Sequence, residues 1–418
     1  MSILPARPEP GSAPPGGGQP HYPAWKRVRE SMAAVELIDL VQDAGLIGKG
    51  GAGFPTHRKL RLVAAQSGAR KIVVLNGSEH EPGSYKDRHL LEHYPHLVIE
   101  GALILAHAIG AGIVIVAINE SLPACHREFA AALRTAVEAG VDFAGITVQV
   151  VPVPDTYIVG EETALLEVIE GRKALPREKP PYPGEKGIQG EPTLVQNIET
   201  AAHLPFIVSA GAAAYRALGV NGRGVTLCTL GEEFARPGVY EVPLGTPLRD
   251  ILERWGGGLR GGAPIKAVQP GGPSSGFLSA ADLDLPLDPQ VLKQHGAALG
   301  CAAIRAYSVG SCMVAEIAKV MRFFAQGSCG QCPRCRMETG MLDTILRRVL
   351  GGGGSWQLLD QVDKLIELSR GQGKCSLIDM PVAPIKTGIA LFRAEFDAHI
   401  AGACQLCAAH QTVELNAG

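Results

Sequence analysis

Runs of apolar residues alternate with amphipathic stretches through the first half of the chain. A β-branched run at 71–75 ends at Asn76-Gly77, as a buried parallel strand ending in a loop does. The segments beyond it predict helices at 89–109 and 121–139 and strands at 112–118 and 146–153. This alternation is typical of an α/β domain whose parallel sheet is covered by helices on its faces.

The pattern changes twice in the second half. A helical pattern at 194–204 predicts that Gln196 and Asn197 lie on a helix. After about residue 221, short apolar runs around one helix (247–255) predict a separate α+β module, with strands at 224–230, 238–242, 263–268 and 303–307. From residue 311, apolar stripes of period 3.6 predict a four-helix cap, with helices at 312–325, 337–350, 357–370 and 383–400.

Composition narrows the class of protein. A chain of 418 residues with 46% hydrophobic content is expected to hold about three domains. A net charge of -2 argues against a nucleic-acid surface, which needs clustered Lys and Arg. Residues 1–23 are rich in Pro and Gly and lack the features of a signal peptide, and no apolar run is long enough for a membrane span. We therefore expect a disordered tail on a soluble, cytoplasmic protein.

A glycine-rich stretch at 48–53 is the first candidate for chemistry. Gly48, Gly50 and Gly53 satisfy G-x-G-x-x-G, in which backbone N–H groups can approach a phosphate or a flat ring. A helix at 32–44 precedes it where a dinucleotide fingerprint has a strand, but Pro55 and Thr56 suit the start of a helix that faces an anion. A plain tight turn and a phosphate cradle both fit this loop.

Three further segments carry functional residue types. The loop 76–88 gathers amide, carboxylate, imidazole and cationic groups just beyond a strand end, where open α/β sheets bind ligands. The segment 157–163 leads into a helix with acidic residues in its first turn. The long Pro- and Gly-rich segment 172–192, with Lys179 and Tyr182, predicts a loop that covers or lines a site.

Three cysteines share one short loop. Cys329, Cys332 and Cys335 have the spacing C-x₂-C-x₂-C, with which a loop binds three irons of a [4Fe-4S] cluster. Cys375, between two predicted helices, is the candidate fourth ligand. Structural zinc is the alternative, although zinc sites more often pair two separate knuckles.

The other cysteines give weaker signals. Cys404 and Cys407 form a lone C-x-x-C that could bind a metal with a partner chain or cycle as a dithiol, and we expect no essential role for it. The remaining thiols lie in apolar surroundings and are expected to pack as small hydrophobic side chains: Cys125, Cys228, Cys301 and Cys312.

Three blocks in one order give a specific resemblance. The sequences GKGGAGFPT (48–56), YIVGEET (157–163) and SCGQCPRC (328–335) together resemble the NADH-binding flavoprotein subunit of respiratory complex I, whose core also occurs in NAD-reducing hydrogenases and NAD-dependent formate dehydrogenases. The resemblance covers about 33–399. It implies a disordered tail (1–24), a Rossmann-like FMN- and NADH-binding α/β domain (25–220), a soluble-ligand-binding (SLBB) β-grasp domain (221–309), a helical [4Fe-4S] domain (310–403) and a C-terminal tail (404–418).

The resemblance also implies which residues surround each cofactor. The residues expected around FMN are Gly48, Gly50, Gly51, Gly53, Lys59, Asn76, Gly160, Glu161, Glu162 and Asn197. Those expected to shape the NADH pocket are Phe54, Glu79, Glu81, Tyr157, Lys179 and Tyr182. Lys59 can pair with a phosphate, and Glu79 or Glu162 near the adenosine ribose would repel a 2′-phosphate, which favours NADH over NADPH.

Four positions depart from the family pattern. Ser78 stands where Asp is usual, Val159 where Cys is common, Tyr182 where Phe is common and Gln196 where Asn is usual. Loss of a carboxylate beside the flavin is expected to make its reduction easier, because nearby charge tunes the ring.

The resemblance implies an electron-input subunit. NADH is expected to pass a hydride to FMN, and single electrons then pass to the [4Fe-4S] cluster and on to a ferredoxin-like or 24 kDa-type Fe–S subunit within a larger oxidoreductase complex, with the direction open to reversal. No side chain is required as an acid or base. One alternative is a relay or docking subunit that retains the cluster but not FMN or NADH. Another is a peripheral subunit of an ion-pumping ferredoxin:NAD complex, whose paired ferredoxin-type runs are absent here.

Overall fold

The structure, a computed structural model, describes residues 1–5, 21–67 and 70–407. The chain divides into two compact units. The first comprises Met1–Thr229 with Gly238–Thr246, and the second Leu230–Pro237 with Pro247–Gly418. Most of the strand at Val225–Leu230 and the strand at Gly238–Pro243, both expected in the middle module, lie in the first unit, and the predicted domain boundaries stay a prediction.

The first unit is an alternation of helices and strands. In chain order to residue 246, the elements are α1 (Pro23–Ser31), α2 (Ala34–Ala44), α3 (Thr56–Ala64), β1 (Lys71–Gly77), α4 (Lys86–His93), α5 (Pro95–Ile109), β2 (Ala111–Asn119), α6 (Pro123–Glu138), β3 (Thr147–Val153), α7 (Glu162–Ile169), β4 (Thr193–Asn197), α8 (Ile198–Ala202), α9 (Leu204–Ala210), α10 (Ala212–Ala217), β5 (Val225–Leu230) and β6 (Gly238–Pro243).

Four of these strands form a parallel sheet in the order β3-β2-β1-β4. Alternate residues of β1 enter two different cores, since successive side chains of a strand point to opposite faces. Val73 and Leu75 pack in the larger core with α1, α2, α5, α6 and α9. Ile72 and Val74 pack in the smaller one with α7. The predicted sheet with covered faces is confirmed.

The predicted disordered tail is packed at its described ends. Ile3 is buried, and its backbone N–H donates to the carboxylate of Glu241 at 3.1 Å. Tyr22 and Ala24 are also buried, and α1 begins at Pro23. Residues 6–20 lie outside the described residues.

Two helix predictions for the first unit are wrong. The helix predicted at 89–109 is the pair α4 and α5, separated at Tyr94, because Pro95 lacks an N–H and takes the first position of a new helix. The helix predicted at 194–204 begins instead as the short strand β4, which pairs in parallel with β1. Gln196 and Asn197 therefore lie at a strand end.

The second unit contains strands and a helical region. From residue 247, its elements are α11 (Leu248–Asp250), which continues into a π-helical turn (Ile251–Trp255), β7 (Ile265–Gln269), β8 (Leu278–Ser279), α12 (Pro289–Gln294), β9 (Ala303–Ser308), α13 (Met313–Gly327), α14 (Pro333–Leu350), α15 (Trp356–Ser369), α16 (Val382–Leu391) and α17 (Arg393–Ile400). Strand β7 pairs antiparallel with both β8 and β9. The fourth helix predicted for the cap is two helices, α16 and α17, separated at Phe392.

Among the described residues, no helix is both long enough and apolar enough to cross a bilayer.

Candidate functional site

The carboxyl ends of β1 and β4 mark the candidate site. The chain leaves β1 toward β2 and β3 on one side and returns with β4 on the other, which makes a topological switch point between β1 and β4. Open α/β sheets bind ligands in the crevice at such a point. Asn76 and Asn197 are paired in register there, at the ends of their strands.

The glycine-rich stretch forms a closed turn. The N–H of Gly48 donates to the carbonyl of Phe54 at 2.8 Å, and the N–H of Thr56 donates to the carbonyl of Leu46 at 3.0 Å. Gly51 and Gly53 have φ of 110° and 62°, a region that favours glycine. The predicted helix after the turn is α3.

The turn lies against the end of β4. A Cβ added to Gly50 would come within 3.3 Å of the Asn197 Cβ, so the absence of a side chain permits this approach. Gly50, Gly51 and Ala52 are exposed. The backbone at the tip of the turn is therefore accessible to a ligand.

Lys49 points away from the exposed side of the turn. It is buried, its Nζ donates to the Val225 carbonyl at 2.8 Å, and its backbone N–H donates to Thr200 Oγ1 at 2.9 Å. Burial lowers the pKa of Lys49 to about 8. The lysine thus anchors the turn from beneath.

The asparagine at the end of β1 is fixed by neighbours. Asn76 Nδ2 donates to the carbonyl of Gly160 at 3.1 Å, and the Ser78 hydroxyl donates to Asn76 Oδ1 at 2.6 Å. Asn197 Nδ2 donates to the Asn76 carbonyl at 3.2 Å. Ser78, which departs from the family pattern, is buried and orients an amide here.

A buried charge cluster supports Asn197 from inside. Lys86 Nζ lies 2.8 Å from Asp87 Oδ1, 2.9 Å from Asn197 Oδ1 and 3.1 Å from Glu199 Oε2. Burial lowers the pKa of Lys86, but Asp87, Glu199 and Glu79 outweigh burial, so the pKa is raised overall. Burial raises the pKa of Glu199, but Lys86, His203 and Lys49 together outweigh burial, so the pKa falls below its usual range. The sequence identifies the loop of Lys86 and Asp87 as a candidate site by its residue types, whereas no sequence pattern marks Glu199 as part of this cluster.

The carboxylate of Glu79 is held by groups at and before the start of α4. Its carboxylate accepts from the backbone N–H groups of Asp87 and Arg88 at 2.7 and 2.8 Å, at the start of α4, and from the Ser84 hydroxyl at 3.0 Å. Burial raises the pKa of Glu79 to about 7. Both oxygens are engaged within the chain.

A chain of ion pairs joins three segments. Lys59 of α3 lies 3.0 Å from Glu162 Oε2, and Lys179 of the long loop lies 3.9 Å from Glu162 Oε1 and 2.8 Å from Glu161 Oε1. The other oxygen of Glu161 accepts from the N–H groups at the start of α7. These four side chains are partly buried, and each lies within reach of solvent.

Aromatic rings at the site are exposed. Phe54 of the glycine-rich turn is 46% exposed and Tyr182 of the long loop is 51% exposed. Exposed rings of this kind can stack on a planar ligand. The Tyr157 hydroxyl donates to Glu81 Oε2 at 3.1 Å, which joins the segment 157–163 to the loop beyond β1.

A polar cluster at the ends of β2 and β3 has no counterpart in the sequence-based prediction. Asp155 Oδ1 accepts from Asn119 Nδ2 at 2.9 Å and lies 3.0 Å from His80 Nδ1, while Asp155 Oδ2 accepts from the Ser121 hydroxyl at 3.1 Å. Hydrogen bonds led by Asn119 lower the pKa of Asp155. Burial lowers the pKa of His80. The cluster positions the loop that carries Ser78 and Glu79.

Gln196 and Val159, two of the residues that depart from the family pattern, lie in different surroundings. Gln196 is buried, and its Nε2 has no hydrogen-bond partner among the described residues. An orphaned buried donor at a strand end is expected to meet a ligand, because leaving it unpaired is costly. Val159 is packed in the smaller core with α7.

The cysteine motif lies between two helices of the second unit. Cys329 follows α13, Cys332 precedes α14 and Cys335 lies in its first turn. Cys375 follows α15 and precedes a short 3₁₀ turn, and the N–H of its neighbour Lys374 donates to Cys332 Sγ at 3.4 Å. The remote segment therefore reaches the loop, as the predicted fourth ligand requires. All ten cysteines are free of disulfides.

The predicted flavin and nucleotide residues come from five segments that meet at the ends of β1 and β4. The contacts among these segments bring together the glycine-rich turn, Lys59, Asn76, the segment 157–162, Lys179 and Asn197. Each residue's role toward a cofactor stays a prediction.

Comparison with protein families finds three matching regions. Residues 41–205 match the Nuo51 FMN-binding domain, residues 229–278 match the SLBB domain, and residues 315–399 match the NADH-ubiquinone oxidoreductase-F iron-sulfur binding region.

Curated relatives match nearly the whole chain. The F 2 subunit of NADH-quinone oxidoreductase in Rhizobium meliloti (strain 1021) is 36% identical over 393 residues, which cover 92% of this chain and 93% of the relative. The F subunit of NADH-quinone oxidoreductase in Escherichia coli (strain K12) is 35% identical over 389 residues, 91% of this chain and 87% of the relative.

A solved structure has the same fold. The NAD⁺-reducing [NiFe]-hydrogenase in the H₂-reduced state matches with a TM-score of 0.84 and 31% identity over 91% of this chain. The match spans 65% of the hydrogenase chain, slightly less than two thirds of its length.

Proposed function

We propose, because this chain belongs to the family of NADH-quinone oxidoreductase F subunits, that it is an NADH-dependent flavin oxidoreductase and the electron-input subunit of a larger complex. Electrons pass between NADH and a partner Fe–S protein through FMN and one [4Fe-4S] cluster. The observation that carries the proposal is that one chain retains both the polar crevice at the switch point and the four-cysteine arrangement. The division into five domains remains part of this proposal.

The crevice residues fit a flavin mononucleotide. The exposed glycine-rich turn offers backbone close to the ends of β1 and β4, and Gln196 Nε2 supplies a buried donor without a partner among the described residues. Lys59 is partly exposed and would pair with the phosphate. Asn76 and Asn197, fixed by neighbours, would orient the ring.

Bound FMN supplies the conversion between two-electron exchange with NADH and one-electron exchange with iron–sulfur centres. The chain itself would bind FMN and NADH, orient them toward each other and exclude water from the site. Side chains that are already fixed in position need not rearrange when the reaction occurs. The buried cluster around Lys86 would therefore help electron transfer by holding Asn197 in place.

The nucleotide pocket would lie beside the same crevice. Phe54 and Tyr182 are exposed and would stack on the rings of NADH. Of the two carboxylates considered for the adenosine ribose, Glu162 is the better candidate, since both oxygens of Glu79 are engaged at the start of α4. A carboxylate near the ribose disfavours a 2′-phosphate.

Cys329, Cys332, Cys335 and Cys375 would ligate the cluster. Backbone N–H donation to Cys332 Sγ is the kind of contact that tunes cluster potentials. The electron acceptor or donor would be a ferredoxin-like or 24 kDa-type Fe–S subunit. Since thiolate ligands need a reducing compartment, we place the protein in the cytoplasm, at the periphery of its complex.

Anaerobic absorbance spectroscopy tests the proposal. Purified protein should show a flavin band and broad thiolate-to-iron absorption, and NADH should bleach both. It should also show NADH-dependent reduction of ferricyanide. Protein that contains iron but binds no FMN, and that gives no ferricyanide reduction after FMN is added, would contradict the proposal.

A further inference from the structure

A second group of metal-binding side chains lies in the second unit, apart from the four cysteines already assigned. Its members are Cys312, His399, Cys404 and Cys407. One ligand atom from each, a sulfur or a ring nitrogen, lies within 4.8 Å of all the others. All three cysteines are free of disulfides.

The distances suit one tetrahedral ion. Cys312 Sγ lies 3.1 Å from His399 Nε2 and 4.0 Å from Cys404 Sγ, and Cys407 Sγ lies 3.6 Å from His399 Nε2. Ligand atoms of a tetrahedral zinc site with three sulfurs and one nitrogen are about 3.5–3.8 Å apart, given the usual bond lengths. The side chains therefore need only small shifts to share an ion.

Three separate parts of the chain deliver the ligands. Cys312 immediately precedes α13, and His399 lies in the last turn of α17. Gly402, with φ of 68°, then turns the chain back in a Schellman motif, with N–H donation from Gly402 to the His399 carbonyl and from Ala403 to the Ala398 carbonyl. This turn directs Cys404 and Cys407 toward the end of α17.

Neighbouring backbone groups orient two of the ligands. The His399 ring also lies close to the backbone of Leu350. A histidine that ligates a metal through one nitrogen almost always donates from the other, often to a backbone carbonyl. The backbone of Ala315, in the first turn of α13, lies close to Cys312 Sγ. Backbone N–H groups at a helix start stabilise a thiolate.

We propose that Cys312, His399, Cys404 and Cys407 bind one zinc ion. Three thiolates and one imidazole with no open position are the donor set of a structural zinc site. The ion would tie residues 404–407 to the start of α13 and the end of α17. Such a site would give Cys312, Cys404 and Cys407 a structural role that the sequence alone did not lead us to expect. The inference is independent of the proposed function.

Metal analysis of the anaerobically purified full-length protein tests the site. We expect about one zinc per chain in addition to about four iron atoms. X-ray absorption at the zinc edge should show three sulfur ligands and one nitrogen ligand. Zinc far below one per chain, iron in its place, or a disulfide between Cys404 and Cys407 in the purified protein would overturn the proposal.

Variants separate this site from the iron–sulfur cluster. Cys407→Ser and His399→Ala should lose zinc while retaining iron, and limited proteolysis should cleave near the C-terminus sooner. His399→Cys should retain zinc with four sulfur ligands, which shows that the fold tolerates change at this position. Cys301→Ala, outside both groups, is the matched control and should leave zinc and iron unchanged. Unchanged zinc in both Cys407→Ser and His399→Ala would contradict the assignment.

Discussion

The two cofactor regions differ in how their buried charges are paired, although each also holds an uncharged amide atom without a partner among the described residues, Gln196 Nε2 in the first and Gln331 Oε1 in the second. Around the switch point, charges pair with one another: Lys59 with Glu162, Lys179 with Glu161, and Lys86 with Asp87 and Glu199. Beside the cysteine loop, Gln331 Oε1 and both carboxylate oxygens of Glu338 are buried without hydrogen-bond partners among the described residues. The flavin region is therefore expected to keep its shape without FMN, whereas the cysteine region is expected to depend on its cluster.

Removal of one proposed cluster ligand should produce the largest effect. Cys332→Ser is expected to reduce iron from about four atoms per chain to nearly none. Hydrogen exchange at the start of α14 and in the 3₁₀ turn after Cys375 should then become fast, because metal binding stabilises the fold around its ligands. Measurements are metal analysis and hydrogen exchange by mass spectrometry.

Removal of FMN from the unaltered protein provides the comparison. Exchange in β1 and β4 should remain slow in the FMN-free protein. Loss of protection in β1 and β4 as large as that in α14 would break the contrast between the regions.

Disruption of the buried charge cluster should destabilise the first unit. Lys86→Met leaves the carboxylates of Asp87 and Glu199 without their cation, and removal of one partner of a buried ion pair costs about 3–5 kcal/mol. Denaturant unfolding monitored by hydrogen exchange in β1 would measure the loss. Lys26→Met, at an exposed lysine, is the control and should change the free energy of unfolding by less than about 0.5 kcal/mol. Equal effects from the two substitutions would contradict the role of the cluster.

A smaller effect is expected at Lys59, the proposed partner of the FMN phosphate. Lys59→Ala should weaken FMN binding by about 10- to 100-fold, since a charged hydrogen bond contributes about 1.5–3 kcal/mol. Fluorescence titration of flavin-depleted protein measures the affinity. Lys71→Ala is the matched control, because Lys71 is also partly buried but lies at the amino end of β1, where it donates to the Ala64 carbonyl. Similar affinities for both variants would exclude Lys59 as a phosphate partner.

The pH dependence of the first unit should give the smallest effect. Burial lowers the pKa of His203 to about 4 from its ordinary 6.5, although Glu199 opposes the shift and Lys49 and Lys86 reinforce it. The unfolded chain thus binds the proton more readily, so stability present above pH 6.5 is lost as pH falls toward 4, by about 1–2 kcal/mol between pH 7 and pH 5.

His203→Gln isolates this contribution, because glutamine takes up no proton in this range. Its free energy of unfolding should fall less between pH 7 and pH 5 than that of the unaltered protein. His295→Gln, at an exposed histidine, should retain the original pH dependence. Identical slopes for the unaltered protein and His203→Gln would contradict the assignment.

The two cofactor regions also differ in how much of each the sequence could predict. The C-x₂-C-x₂-C spacing lies within one loop, so its chemistry is visible without a fold. The polar crevice is assembled from five segments, and Glu199 and Asp155 become part of it only through tertiary contacts. The sequence shows only half of the zinc site for this reason too: Cys404 and Cys407 form a visible C-x-x-C, whereas Cys312 and His399 are far apart in the sequence.

The errors in secondary structure also have local causes. The sequence of the stretch that contains β4 predicts a helix, because the pattern of a short apolar run does not distinguish a buried strand from a helix. The break before Pro95 is visible in the sequence, since proline ends a preceding helix, but the apolar pattern continues across it. Packing of Ile3 depends on a distant partner, Glu241, and no periodicity reveals such a contact.

The double pairing of Glu162 has a consequence for how coenzyme preference evolves. Lys59 and Lys179 both lie near this one carboxylate. Replacement by glutamine would remove the repulsion of a 2′-phosphate by the carboxylate and would leave Lys179 near one acidic side chain, Glu161, instead of two. A single substitution, Glu162→Gln, therefore has the chemistry to shift selectivity toward NADPH. The ratio of kcat/KM for the two dinucleotides would reveal such a shift, and an unchanged ratio would place the adenosine ribose elsewhere.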